Sequence, residues 1–235
     1  MPNRFTFITL FVLLVLLWLP AFAQVDENPA LAQKQVQELL KNKLWDDAIK
    51  KLTDLIAWQE GEPDFYYNRG FAYQQKGMDS LAREDYAKAL QYKPNFADAI
   101  TGNASLALKH GEYSVAITGF TKAISLNPNS SDNYTLRGTA YIKKGEYDNA
   151  LQDFSKAIEL NPQSAEAFNN RALLYTTKND PEDAIRDFTS AVGIDSTNPT
   201  SYIFRAGVYQ QQGKNDFAIQ DYTKALSLNP NDSTS

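Results

Sequence analysis

Four arginines share one recurring position in the chain: Arg69, Arg137, Arg171 and Arg205. A row of guanidinium groups could grip carboxylates or phosphates bidentately. Sixteen residues after each arginine, however, comes an aspartate: Asp85, Asp153, Asp187 and Asp221. Two positions in the same register lack the arginine (Gln35, Asn103), and both also lack the aspartate (Lys51, Gly119). Residues that come and go together point to structural salt bridges between neighbouring elements rather than to a ligand row. An exposed pair contributes only ~0–1 kcal/mol, so the expected role is register. His110, the single histidine, precedes Gly111; equivalent positions hold Lys76, Lys144, Lys178 and Gln212. It reads as a polar helix end, because catalysis would need an orienting acid and a nucleophile beside it. With no cysteine there is no disulfide or thiolate metal site. The glycines form no phosphate-cradling string, and the carboxylates are spread evenly instead of paired. No catalytic, metal or cofactor-binding residue is nominated, and no cofactor is expected.

The elements that must position the arginines and aspartates are written in the spacing. Ala48, Ala82, Ala116, Ala150, Ala184 and Ala218 recur every 34 residues without a slip. A fixed period in this range marks a stacked repeat array. Six windows begin at Pro29, Pro63, Ala97, Ser131, Ala165 and Pro199 and run to Asp232, leaving a tail of residues 233–235. In the fourth window Tyr134, Gly138 and Tyr141 share one helical face, and Ala150, Phe154, Ala157 and Ile158 another. Gly145 separates the two helices and suits a left-handed turn. The same slot holds Gly77, Gly111 and Gly213, then Asn179, while Lys43 in the first window implies a differently built turn. Asn28-Pro29, Asn198-Pro199 and Asp180-Pro181 read as caps followed by proline at the first helical position. Small residues on both helices (Gly70, Ala104, Gly138, Ala172, Ala206; Ala89, Ala123, Ala157, Ala191, Ala225) allow close approach. Tyr86, Phe120, Phe154, Phe188 and Tyr222 fill the space beside them.

This pattern resembles the tetratricopeptide repeat family. The fourth window supplies its aromatic, small, tyrosine, alanine, phenylalanine, alanine and proline positions as Tyr134, Gly138, Tyr141, Ala150, Phe154, Ala157 and Pro162, with Arg137 in the leucine-like slot. The resemblance implies an all-α fold, a right-handed superhelical solenoid of about six helix-turn-helix units. Ile100 and Ala107 replace the usual aromatics of the third window, so looser packing is expected there. Val36, Leu55 and Glu60 make the first window a divergent cap. The resemblance also implies a concave face lined by the first helices, presenting the second, fifth, ninth, twelfth and thirteenth slots of each window. Carried over, the candidate peptide-groove residues are Tyr67, Phe71, Gln74, Thr101, Ser105, Thr135, Thr139, Asn169, Leu173 and Ile203. Such a surface of amides, hydroxyls and a few apolar groups suits an extended peptide, with Tyr67 and Phe71 as anchors. The basic carboxylate clamp of chaperone-binding relatives is not supported by Gln33, Gln37, Asn68 and Asp98.

The N-terminus is a separate matter. Met1–Ala23 has a basic Arg4, an apolar stretch densest from Ile8 to Leu19, and Ala21-Phe22-Ala23 before Gln24. This is the order of a secretory signal peptide, with cleavage expected between Ala23 and Gln24 and a short linker at 24–28. The dense stretch falls short of the ~20 residues of a comfortable span, although Phe5–Ala23 could cross a membrane with strain. Formal net charge is −5, and Arg4 is the only charge before Gln24, so the remainder is more acidic still. That argues against a nucleic-acid groove, which needs a clustered basic surface. The expected protein is an exported, periplasmic or secreted, non-enzymatic scaffold that binds a protein or extended peptide. Membrane contact is expected only if the first segment is retained, making a membrane-anchored organiser of an envelope complex the first alternative. An enzyme or glycan-binding protein with a groove site is the second. Ile219, Tyr222 and Leu226 on the last helix add possible self-association through the C-terminal unit.

Overall fold

Four helix starts are capped by side chains that satisfy otherwise orphaned backbone amides. Ser130 Oγ accepts from the Asn133 amide at 3.4 Å, Ser164 Oγ from Ala167 at 3.2 Å and Asn198 Oδ1 from Thr200 at 3.0 Å. Asp180, before Pro181, accepts from Asp183 at 3.4 Å. The computed structural model describes residues 29–229; the expected signal segment with its Ala23/Gln24 site, the linker and residues 230–235 lie outside them. Among the described residues there are twelve helices and no strand. The first unit comprises α1 (Pro29–Lys41) and α2 (Trp45–Trp58), the second α3 (Pro63–Gln75) and α4 (Asp79–Tyr92). Then follow α5 (Ala97–Lys109) and α6 (Tyr113–Leu126), α7 (Ser131–Lys144) and α8 (Tyr147–Leu160). The last two units are α9 (Ala165–Thr177) with α10 (Pro181–Ile194), and α11 (Pro199–Gln211) with α12 (Asn215–Leu228).

Inside each unit the turn is closed the same way. Gly145, at φ 82°, donates its amide to Ile142 O at 2.9 Å, and Glu146 donates to Tyr141 O at 2.9 Å. The expectation of a different first turn is not met. Lys43 adopts φ 57°, donates to Leu40 O at 3.1 Å, and is followed by Leu44 donating to Leu39 O at 2.9 Å. The two hydrogen bonds hold a lysine in a left-handed conformation that costs a side chain roughly 1 kcal/mol.

The core is not one mass but five apolar clusters, one at each junction between consecutive units. In the first, Phe65 of α3 closes Ala32, Val36, Ala48, Leu52 and Leu55. In the second, Ala99 and Leu106 of α5 meet Tyr66, Ala82, Tyr86 and Ala89. Ala140 closes the third around Phe120, Leu174 the fourth around Phe154, and Val208 the fifth around Phe188. A unit therefore completes its core with residues of the next unit's first helix, as stacked repeats must. Curvature follows from unequal contact. From α3 onward each first helix touches the first helix of the next unit, at α3–α5, α5–α7, α7–α9 and α9–α11, while consecutive second helices stand further apart. The first helices thus lie on the inside of the curve.

The third unit is not looser than the others. Ile100 and Ala107 are buried, and a Cβ at Gly119 would sit 2.7 Å from Ala104 Cβ. Where the larger pair of aromatics is missing, α5 and α6 close the space by approaching each other directly.

Candidate functional site

The four arginines sit between second helices, away from the inner face. Arg137 donates from Nε to Asp153 Oδ2 and from Nη2 to Oδ1, both at 2.8 Å. Arg69 binds Asp85 in the same bidentate way at 2.8 Å; Arg171 binds Asp187 at 2.7 and 2.9 Å, and Arg205 binds Asp221 at 2.7 and 2.8 Å. The aspartates are buried, so these are not the exposed pairs of small value expected above. Each guanidinium also lies beside aromatic rings one turn away: Tyr66 and Tyr73, Tyr134 and Tyr141, Phe168 and Tyr175, and Tyr202. The hydrogen bond to its aspartate raises each arginine's pKa, against an opposing effect of burial.

A third partner was missed by sequence reasoning. Nη1 of each arginine donates backwards to a hydroxyl on the preceding unit's second helix: Thr53 at 3.2 Å, Thr121 at 3.0 Å, Ser155 at 3.1 Å and Thr189 at 3.0 Å. The signal was present. Each hydroxyl lies sixteen residues before its arginine, and the corresponding residue before Asn103 is Ala87. The arginine is therefore a post that ties two units together as well as two helices.

Several of the ten candidate groove residues also bond or pack against neighbours. Gln74 Oε1 accepts from the Tyr86 hydroxyl at 2.6 Å. Tyr86 is fully buried, and burial pushes its pKa well above the ordinary tyrosine range. Its ring leaves no room on the next helix: a Cβ at Gly102 would stand 2.5 Å from Tyr86 Cζ. Gln74 is thus half-buried and bound to the core through Tyr86. Tyr67 packs with its ring centroid 5.1 Å from that of Phe96 and 6.0 Å from that of Tyr86. Its pKa is raised, chiefly by burial and then by Asp98. Thr101 donates to Asn133 Oδ1 at 2.8 Å, and Asn169 donates to Ser201 Oγ at 2.8 Å, each reaching the next first helix. Thr135 is buried and donates to Ser131 O at 3.1 Å. Two fifth-slot residues, Thr101 and Asn169, thus join neighbouring first helices while staying half-buried, whereas Thr135 is buried and bonds within its own helix.

The ninth slot follows the same inner stripe. Phe71, Ser105, Thr139 and Leu173 are each half-buried along the inside of the curve, with Phe71 edge-on to Trp45 at 6.0 Å. Ile203 is 43 % exposed at the far end. Thr139 returns its hydroxyl hydrogen to Thr135 O at 3.0 Å. The row has polarity across it. Asp98, Asp132 and Glu166 stand exposed at the starts of their helices, where a negative charge complements the dipole. Lys109 and Lys143 stand exposed at the ends of theirs. Lys109 is held by Asp79 at 2.7 Å, and Asp79 also meets His110 Nε2 at 2.9 Å. The Asp79 carboxyl is held below the usual range, first by Lys109 and then by His110. His110 is accordingly a junction residue of the outer edge. Among the described residues no group of three histidine or acidic side chains could hold a metal ion. None of their helices is long and apolar enough to cross a membrane.

Comparison with known proteins agrees with this geometry. Family models described as tetratricopeptide repeat match residues 63–96, 120–152, 165–198 and 199–232, and one described as TPR repeat matches residues 138–179. A structure from the functional characterisation of PilF of Pseudomonas aeruginosa superposes with a TM-score of 0.76 at 17% identity, covering 85% of this chain and 91% of that one. YrrB, described as a TPR protein with an unusual peptide-binding site, gives 0.61 at 20% identity, covering 77% and 93%. MamA from Desulfovibrio magneticus RS-1 gives 0.63 at 21% identity, covering 72% and 96%. At these identities the likeness is one of fold. No curated protein matches the chain.

Proposed function

The chain belongs to the tetratricopeptide repeat family, and from that premise we propose that it is an exported, non-enzymatic scaffold that binds an extended segment of a partner protein along the inside of its curve. The observation that carries the reading is the ninth-slot row. Phe71, Ser105, Thr139 and Leu173 remain half-exposed on the inner side, while the deeper positions are used to join first helices. An aromatic at one end, an aliphatic at the other and hydroxyls between them offer two shallow anchors and backbone hydrogen bonds to an extended chain. That YrrB is described as having a peptide-binding site lends the fold a precedent for this use.

Export rests on Met1–Ala23 and its small residues before Gln24. N-terminal sequencing of the protein recovered from outside the cytoplasm should read from Gln24; a membrane-bound form retaining Met1 would replace export with anchoring. The binding reading is tested by crosslinking from native extracts, with Phe71→Ala/Leu173→Ala compared against the unaltered protein. The crosslinked partner should be lost in the double variant while the helical circular dichroism is unchanged. Equal crosslinking by both proteins would move the site off the inner face.

A further inference from the structure

The outer face of α12 is built like the face that the second helices of the third, fourth and fifth units offer to their successors. At the third, fourth and fifth junctions, Ile117, Leu151 and Ile185 pack in the junction cluster that a first-helix residue of the next unit closes: Ala140, Leu174 and Val208. The equivalent Ile219 is 62 % exposed, and Leu226, equivalent to the buried Ile124, is 53 % exposed. Between them on the same helical face, at the i, i+4, i+7 positions, stands Thr223.

Thr223 says what kind of helix fits there. At five junctions a hydroxyl in this slot accompanies an arginine on the following helix four times, and an alanine, Ala87, accompanies its absence once. Thr53 and Thr189 each donate to the carbonyl one turn back, at 2.8 and 2.7 Å, which leaves a lone pair for the arginine. Thr223 makes the same bond to Ile219 O at 2.7 Å. A second copy stacked head to tail does not match. Its α1 would bring Gln35 where the arginine belongs, and the exposed Glu38 where Ala72, Leu106, Ala140, Leu174 and Val208 are buried. Burying that carboxylate against Ile219 would be costly.

We propose that Ile219, Thr223 and Leu226 form a second docking site, for an amphipathic helix of a partner protein that carries an arginine three residues before a small or aliphatic residue. The spacing is that of Arg69 and Ala72, Arg137 and Ala140, Arg171 and Leu174, and Arg205 and Val208. The site is independent of the inner row.

A labelled 34-residue peptide copying residues 165–198, which contains Arg171 and Leu174, serves as the probe, added to the full chain and followed by fluorescence anisotropy. Saturable binding is expected. The Arg171→Ala peptide should bind about tenfold more weakly, as loss of a charged hydrogen bond implies. Ile219→Asp in the protein should abolish binding. Thr223→Val should weaken binding of the unaltered peptide severalfold, yet leave that of the Arg171→Ala peptide unchanged. The proposal fails if no saturation appears by about 1 mM or if Ile219→Asp binds normally. It also fails if the two peptides bind alike. Sedimentation of the protein alone is the companion measurement: a dimer dissolved by Ile219→Asp would assign the face to a second copy instead. The Phe71→Ala/Leu173→Ala protein should bind the peptide normally, so failure at either site is read separately.

Discussion

Single residues in this protein are explained by their partners more than by their types. Tyr86 and Gln74 are a pair: burying a phenol requires an acceptor, and Gln74 supplies it. The third unit solves the same position with Phe120 and Leu108, and needs no hydrogen bond. Gln74→Leu alone should therefore destabilise by about 1–3 kcal/mol, by orphaning the hydroxyl, and adding Tyr86→Phe should recover most of the loss in urea unfolding. Arg137→Ala leaves the Asp153 carboxylate buried without its cation and should cost about 3 kcal/mol. A double-mutant cycle with Asp153→Ala should show strong coupling, since the second change removes the orphaned charge. Lys43→Gly should raise the urea midpoint, by relieving a left-handed lysine at a gain of about 0.5–1 kcal/mol. The arginine–aspartate spacing was legible in the sequence because both ends recur. The backward bond to Thr53, Thr121, Ser155 and Thr189 was legible in principle, but serine and threonine are common enough that only the three-dimensional contact singles them out.

At the scale of the element, the helix pairs show two ways of closing. Four units set an arginine beside an aromatic ring and bind it to an aspartate on the paired helix. The third unit sets Gly119 against Ala104 and brings α5 and α6 together. Gly119→Ala should force those helices apart, costing about 1–3 kcal/mol, measured as a lower denaturation midpoint with an unchanged helical spectrum. Looseness was the natural expectation from Ile100 and Ala107, because sequence reports the volume that is missing. It does not report that backbones move to fill it. The fifth slot shows a related effect. Helical periodicity puts Thr101, Thr135 and Asn169 on the inner stripe, but how far neighbouring first helices converge decides whether that stripe is surface or seam.

For the whole molecule, stability is distributed over five junction clusters, so damage should spread according to position. Arg205→Ala should fray α11 and α12, with amide exchange accelerating there while α3 to α8 keep their protection. Arg137→Ala, in the middle of the array, should accelerate exchange on both sides of its junction. Equal loss of protection everywhere in both variants would mean that the array unfolds as one unit. The inner row and the face of α12 are also properties of this scale, since each exists only because helices from separate windows are set side by side.

The sequence by itself determined the period, the number of units, the helix ends and the arginine–aspartate pairs, because each depends on local geometry or on a fixed spacing that six copies repeat. Only the tertiary structure decided which inner-stripe residues remain open, that the third unit closes by approach, and that Thr223 stands where other hydroxyls receive an arginine. Those depend on the distances between units, which hydrophobic pattern and capping leave free and packing sets.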